Sequence, residues 1–143
     1  MEGLIVWRPK ELLWAGAGIV GVGVLLMAVL SMASQEAPSN LGLVDGRLRD
    51  AGGRSNCVSS VEPEESAAWV APFAFEGDPD AAMDRLRAAL DQLPRTVVLF
   101  DGGGYLHAEC TTAVWRFVDD LELLLDEERS VIDVRSASRV GEF

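Results

Sequence analysis

From Leu12 to Met32 the chain carries no charged side chain. A helix of twenty-one residues at about 1.5 Å each is roughly 30 Å long, the thickness of a bilayer's hydrocarbon core. This run constrains everything else, because whatever follows it is tied to a membrane surface. Ser31-Met32-Ala33 has the small residues that a signal peptidase accepts. The run nevertheless exceeds the 7–15 apolar residues or so of a typical signal peptide, which favours an uncleaved anchor. Arg8 and Lys10 precede it, and no Lys or Arg follows until Arg47. The positive-inside rule then predicts residues 1–11 in the cytoplasm, residues 12–32 as a single transmembrane helix, and the remainder outside. In a bacterium this is an inner-membrane protein with a periplasmic domain.

Gly16, Gly18, Gly21 and Gly23 leave one part of that helix poor in side chains, and Ala17 with Gly21 forms a small-xxx-small pair. Such a groove lets the helix of another membrane-protein subunit, or a pigment or lipid tail, approach the backbone closely. Trp7 and Trp14 flank the start of the span at interface depth.

Removing Glu2, Arg8, Lys10 and Glu11 leaves ten basic and 21 acidic residues, so all of the net charge of −11 lies beyond the helix. Nucleic acid and anionic headgroups are poor partners for so acidic a domain. A basic protein surface or divalent cations suit it better. Cys57 and Cys110 allow one disulfide, closing a 54-residue loop for about 3–4 kcal/mol. Alternatively they remain two thiols, since Cys110 has apolar same-face neighbours among which a free cysteine packs as a small hydrophobe. Two cysteines and a single histidine make no zinc site, and no cofactor motif is present.

Residues 33–66 read as an extended tether, rich in Ser, Gly, Pro and Asn and broken by Gly52-Gly53. A domain over 67–143 follows. Ala67 to Phe75 reads as a strand with Trp69, Ala71 and Phe73 on one face, and Pro72 places it at an edge or a bulge. Asp78 as N-cap, Pro79 in the first turn and Pro94 as stop define a helix whose stripe is Ala82, Met83, Leu86, Ala89, Leu90 and Leu93. Arg95–Phe100 and Tyr105–Val114 read as strands joined through Asp101-Gly102-Gly103-Gly104. Leu121–Asp126 and Val131–Ser136 form a hairpin. With Asp126 facing Val131, Leu125 meets Ile132, Leu123 meets Val134, and Glu122 lies opposite Arg135 on the outer face. The expected fold is α+β, one helix packed on an antiparallel sheet of about five strands. Met83, Leu86, Leu90, Leu99, Leu123, Leu125, Ile132 and Val134 are its expected core.

Three segments resemble a known family. Leu41-Gly42, Asp45-Gly46-Arg47-Leu48 and Ser55-Asn56-Cys57-Val58-Ser59-Ser60 look like the opening of the domain-of-unknown-function 1499 (DUF1499) family. Phe117-Val118-Asp119-Asp120-Leu121-Glu122 and Val134-Arg135-Ser136-Ala137-Ser138-Arg139-Val140-Gly141 look like its close, so the resemblance spans 41–141. It implies a bacterial or plastid protein, often carried behind a signal or anchor helix, without an established activity. Members commonly carry a further cysteine just before the Asn-Cys-Val-Ser-Ser stretch, where this chain has Asp50-Ala51-Gly52-Gly53, so that local disulfide is not expected. The family usually continues past the equivalent of Phe143 with an Asp-Leu-Gly-Val-Asn-Arg-like segment.

Candidate chemistry lies in the strands. His107 and Glu109 share a face and have the makings of an acid–base pair. Asp119, Asp120 and Glu122 offer clustered oxygens suited to a hard cation such as calcium. Arg135 and Arg139 share a face and suit an anion or carboxylate. Structural roles compete with each: a local hydrogen bond for the histidine, cross-strand pairing for the acids and arginines. Ser59, Ser136 and Ser138 have no context that activates a nucleophile, and no Ser-His-Asp order or nucleotide loop is present. The residues therefore point to a non-catalytic accessory subunit of a larger membrane assembly, photosynthetic or respiratory electron transport being equally compatible. The competing reading is a membrane-anchored enzyme or ligand- or cation-binding domain using the Asp119–Glu122 and Arg135/Arg139 group.

Overall fold

The computed structural model describes residues 9–141. Trp7, Arg8 and most of the expected cytoplasmic stretch lie outside them. Helix α1 runs Pro9–Ala33. Its portion Leu13–Ala33 has a mean hydropathy of 2.3, is long and apolar enough to cross a membrane, and has none of its most apolar window buried among the described residues. Leu13, Trp14, Ile19, Val22 and Leu25 stand exposed around it. An apolar surface on all sides is what a helix needs when its solvent is lipid.

Helix α2, Pro79–Asp91, begins where the cap chemistry predicts: Asp78 is extended and its carboxylate accepts from the Ala81 amide at 3.3 Å. Ala82, Met83 and Leu90 are buried. Leu93 falls past the last turn and is exposed.

Six strands form one antiparallel sheet in the order β1-β6-β5-β4-β3, with β2 also paired to β6. They are β1 Cys57–Ser59, β2 Phe73–Ala74, β3 Thr96–Gly102, β4 Tyr105–Thr111, β5 Val118–Asp126 and β6 Val131–Ser138. The fold is therefore α+β. The β5–β6 register is the expected one, with Leu125 opposite Ile132, Leu123 opposite Val134 and Glu122 opposite Arg135. One face packs under α2, where Ala82, Met83, Leu90, Leu106, Ala108, Leu123, Ile132 and Val134 form the core and Leu86 and Leu125 close it at the margin.

Three expectations are corrected. Leu99 is not core: it is 53% exposed, because the ladder slips between Val98 and Phe100 and leaves it as a bulged residue. The slip hands its inward place to Val98 before it and Asp101 after it, and Asp101 meets Arg87 of α2 at 2.6 Å. The strand expected over 67–75 shrinks to Phe73–Ala74, with Trp69 making only an isolated bridge to Ser59. β4 ends at Thr111, so Val114 falls in a loop. Of the two alternatives left open for Cys57 and Cys110, the structure has both thiols free. They lie on opposite faces of strands three places apart, about 14 Å at 4.8 Å per strand. A disulfide needs Cα atoms within about 7 Å.

Candidate functional site

Strand alternation sends Tyr105, His107 and Glu109 of β4, Asp120 and Glu122 of β5, and Arg135 of β6 to the face away from α2. On an open antiparallel sheet such a face is solvated. Here it is covered. The tether expected over 33–66 is laid along this face, so that Ser34, Leu48, Ala51 and Ser59 are buried and β1 pairs with β6. The Glu122–Arg135 pair expected on the outside is consequently interior, each side chain only 1% exposed.

Arg135 donates from Nη1 to Glu122 Oε2 at 2.5 Å and from Nε to the Asp50 carbonyl at 3.4 Å. The other carboxylate oxygen of Glu122 accepts from the Gly42 amide and from the Tyr105 hydroxyl, both at 2.7 Å. Gly42 has φ +85, the left-handed backbone that aims this amide inward at little cost to a residue without Cβ. Burial, reinforced by the Glu122 carboxylate, pushes the Tyr105 phenol well above its ordinary value, so it stays a donor.

Arg139, just past β6, makes the second knot. Its Nε and Nη2 bracket the two oxygens of Asp120 at 2.8 and 2.7 Å, and Nη2 also bonds Glu109. Nη1 reaches the carbonyls of Ser34 and Gln35, at 3.3 Å each. His107 Nε2 lies 2.8 Å from Asp120 Oδ1. Burial alone would raise the Asp120 carboxyl, but Arg139 and then His107 outweigh it and hold the group below the ordinary carboxylate range. A charge-assisted fork of this kind is among the stronger protein hydrogen bonds.

The structure thus brings His107, Glu109, Asp120 and Arg139 into one network and joins Glu122 to Arg135 in another. Asp119 belongs to neither, since it points to the opposite face from Asp120. Both arginines are engaged by the chain's own carboxylates and carbonyls. Among the described residues no group of three His, Cys, Asp or Glu side chains is placed to hold a metal ion. Tyr105 and Gly42 were not among the candidate site residues, Gly42 having entered only through the family resemblance. Their signal was the alternation of ionisable residues on neighbouring strands below a long Gly- and Ser-rich segment.

A cleft in that segment is lined by Asn40, Asp45, Arg47, Arg49, Asp50 and Arg54, together with Arg135 of the sheet. Arg54 donates to the Ser138 carbonyl at 2.9 Å. Arg49 Nε and Asn40 Oδ1 are buried without a hydrogen-bond partner among the described residues.

Residues 47–143 match the family model described as a protein of unknown function (DUF1499). This covers the sheet, α2 and most of the covering segment, but not α1. Neither curated proteins nor solved structures give a match.

Proposed function

The chain belongs to the DUF1499 family, and on that premise we propose that it is a non-catalytic accessory subunit of a larger inner-membrane assembly, photosynthetic or respiratory. α1 anchors and docks it, with the amino terminus cytoplasmic and the acidic domain periplasmic. One observation carries this reading: the ionisable residues best suited to chemistry are neutralised by one another and roofed by the chain's own segment. Arg135 and Glu122 are each 1% exposed, as is Asp120, while Arg139 is 3% exposed. Groups so enclosed hold a fold together and meet no substrate. The domain that carries them is acidic overall, and the helix before it is bare and apolar.

Gly16, Gly18, Gly21 and Gly23 support docking by α1. A Cβ added at any of them meets nothing within 4 Å, so the chain's own fold does not require glycine there. Helices in lipid associate through close packing, since lipid already satisfies hydrophobicity, and a small-residue face is what permits it. Ala17→Leu with Gly21→Ile leaves insertion and the domain unchanged and is expected to abolish co-purification of the partner subunits from mild detergent. Co-purification at full yield would reject docking by this helix.

A second reading, binding of a small anion, is favoured by the cleft at Arg47 and Arg49, where the buried Arg49 Nε has no hydrogen-bond partner among the described residues. A bound anion would stabilise the folded state by mass action. On this reading inorganic phosphate raises the Tm of the wild-type protein and not that of Arg49→Gln. An unchanged wild-type Tm rejects it.

A further inference from the structure

Between β4 and β5 the chain makes a loop, residues 112–117, that holds apolar side chains outward. Val114 is 78% exposed and Trp115 37%. The loop has a held shape: the Thr112 amide donates to the Phe117 carbonyl at 2.8 Å, and the Phe117 amide donates to Thr112 Oγ1 at 2.9 Å. Arg116 is in the left-handed region at φ +60, a conformation uncommon outside glycine. Isolated exposed apolar residues are ordinary on a protein surface. Here position decides.

Gln35, two residues past the end of α1, donates from Nε2 to the Arg116 carbonyl at 2.9 Å. The same Nε2 also donates to the Ser31 carbonyl in the last turn of α1, at 3.1 Å, so the Arg116 carbonyl lies within about 6 Å of that turn. The headgroup layer on each side of the hydrocarbon core is about 5–7 Å deep. If α1 spans the bilayer, the backbone of Arg116 therefore lies at headgroup depth. Arg139, bonded to the Ser34 and Gln35 carbonyls, pins the same junction to the sheet. Tryptophan is favoured at this depth, where its ring is half in and half out of the apolar layer. Exposed Arg116 lies in the loop itself, and Arg95, whose Nε donates to the Thr111 carbonyl at 3.0 Å, brings a second guanidinium to this end. An acidic domain thus turns basic groups to the side where phosphates would be.

We propose that the loop 112–117 is a second membrane contact, with Val114 and Trp115 seated in the headgroup–acyl boundary of the bilayer that holds α1 and Arg116 turned to lipid phosphate. The proposal rests on α1 being an inserted anchor. Its consequence is orientation: the domain is seated on the membrane by two contacts instead of swinging from one, which decides the faces a partner subunit can reach.

Single-tryptophan proteins test it, each made by replacing the other three tryptophans with phenylalanine. They are reconstituted into phosphatidylcholine–phosphatidylglycerol vesicles with or without bromine on the acyl chains near the headgroup. Bromolipid is expected to quench the Trp14 protein, reporting insertion of α1, and also the Trp115 protein, with emission shifted to shorter wavelength. Adding Val114→Asp is expected to remove the quenching of Trp115 and leave that of Trp14 intact. If Trp14 is quenched while Trp115 is not, the proposal is overturned with the anchor reading standing, and the loop faces a protein or water instead. If Trp14 is unquenched, the anchor reading itself falls, and this contact with it.

Discussion

Arg135→Ala is expected to cost about 3–5 kcal/mol, the magnitude seen when one member of a buried ion pair is removed. The cost lies in what remains. Glu122 would keep a carboxylate, 1% exposed, with only the Gly42 amide and the Tyr105 hydroxyl to stabilise it. The Asp50 carbonyl would also lose its donor. For a domain whose whole stability is about 5–15 kcal/mol, that is a large fraction. The same reasoning predicts that Arg135→Met with Glu122→Leu is far milder than Arg135→Ala alone, since it removes both charges and fills the space. Urea denaturation of the detergent-solubilised protein, followed by the circular dichroism of the sheet, measures both. A double variant as unstable as the single one would mean that the pair contributes net stability of its own.

Arg139→Ala is expected to cost about 3 kcal/mol or more at neutral pH and to change how stability responds to acid. In the wild-type protein the Asp120 carboxyl is held below its ordinary value of 3.8. A group lowered in this way stabilises the fold fully above that value, and the contribution is lost as pH falls through the folded-state pKa. Without Arg139 the largest influence on Asp120 is burial, which raises the carboxyl. The variant then has less of this pH-dependent stability to lose. The stability gap between wild type and variant should therefore narrow as pH is lowered through 3.8, readable from denaturation midpoints at neutral and acidic pH. Arg139→Lys keeps the charge without the fork and should lie between the two. A gap that is constant with pH would show that Asp120 is not what Arg139 stabilises.

Those two arginines also mark the limit of local reading. The pairing of Glu122 with Arg135 was legible because β5 and β6 form a hairpin, whose alternation admits one register that buries Leu123, Leu125, Ile132 and Val134 together. Nothing local said that the other face of the hairpin would be dry. That depends on Gly42 meeting Glu122 80 residues away, and on Arg139 meeting Ser34 and Gln35 more than 100 residues away. The covering segment has no apolar period to announce such contacts, because it packs through backbone amides and carbonyls that every residue possesses.

The amino-acid sequence by itself determined an N-terminal helix long and apolar enough to cross a membrane, since length and hydrophobicity decide whether a helix suits lipid. It determined α2 through Asp78, Pro79 and a stripe at helical spacing, and it carried the family likeness later matched over residues 47–143. Only the tertiary structure decided that Leu99 bulges outward, that the two cysteines lie three strands apart on opposite faces, and that Arg116, next to Trp115, meets Gln35 just past the end of α1. Each of these depends on where a distant strand or segment comes to rest. Periodicity records which face of an element is apolar, but it carries no information about what will cover the polar one.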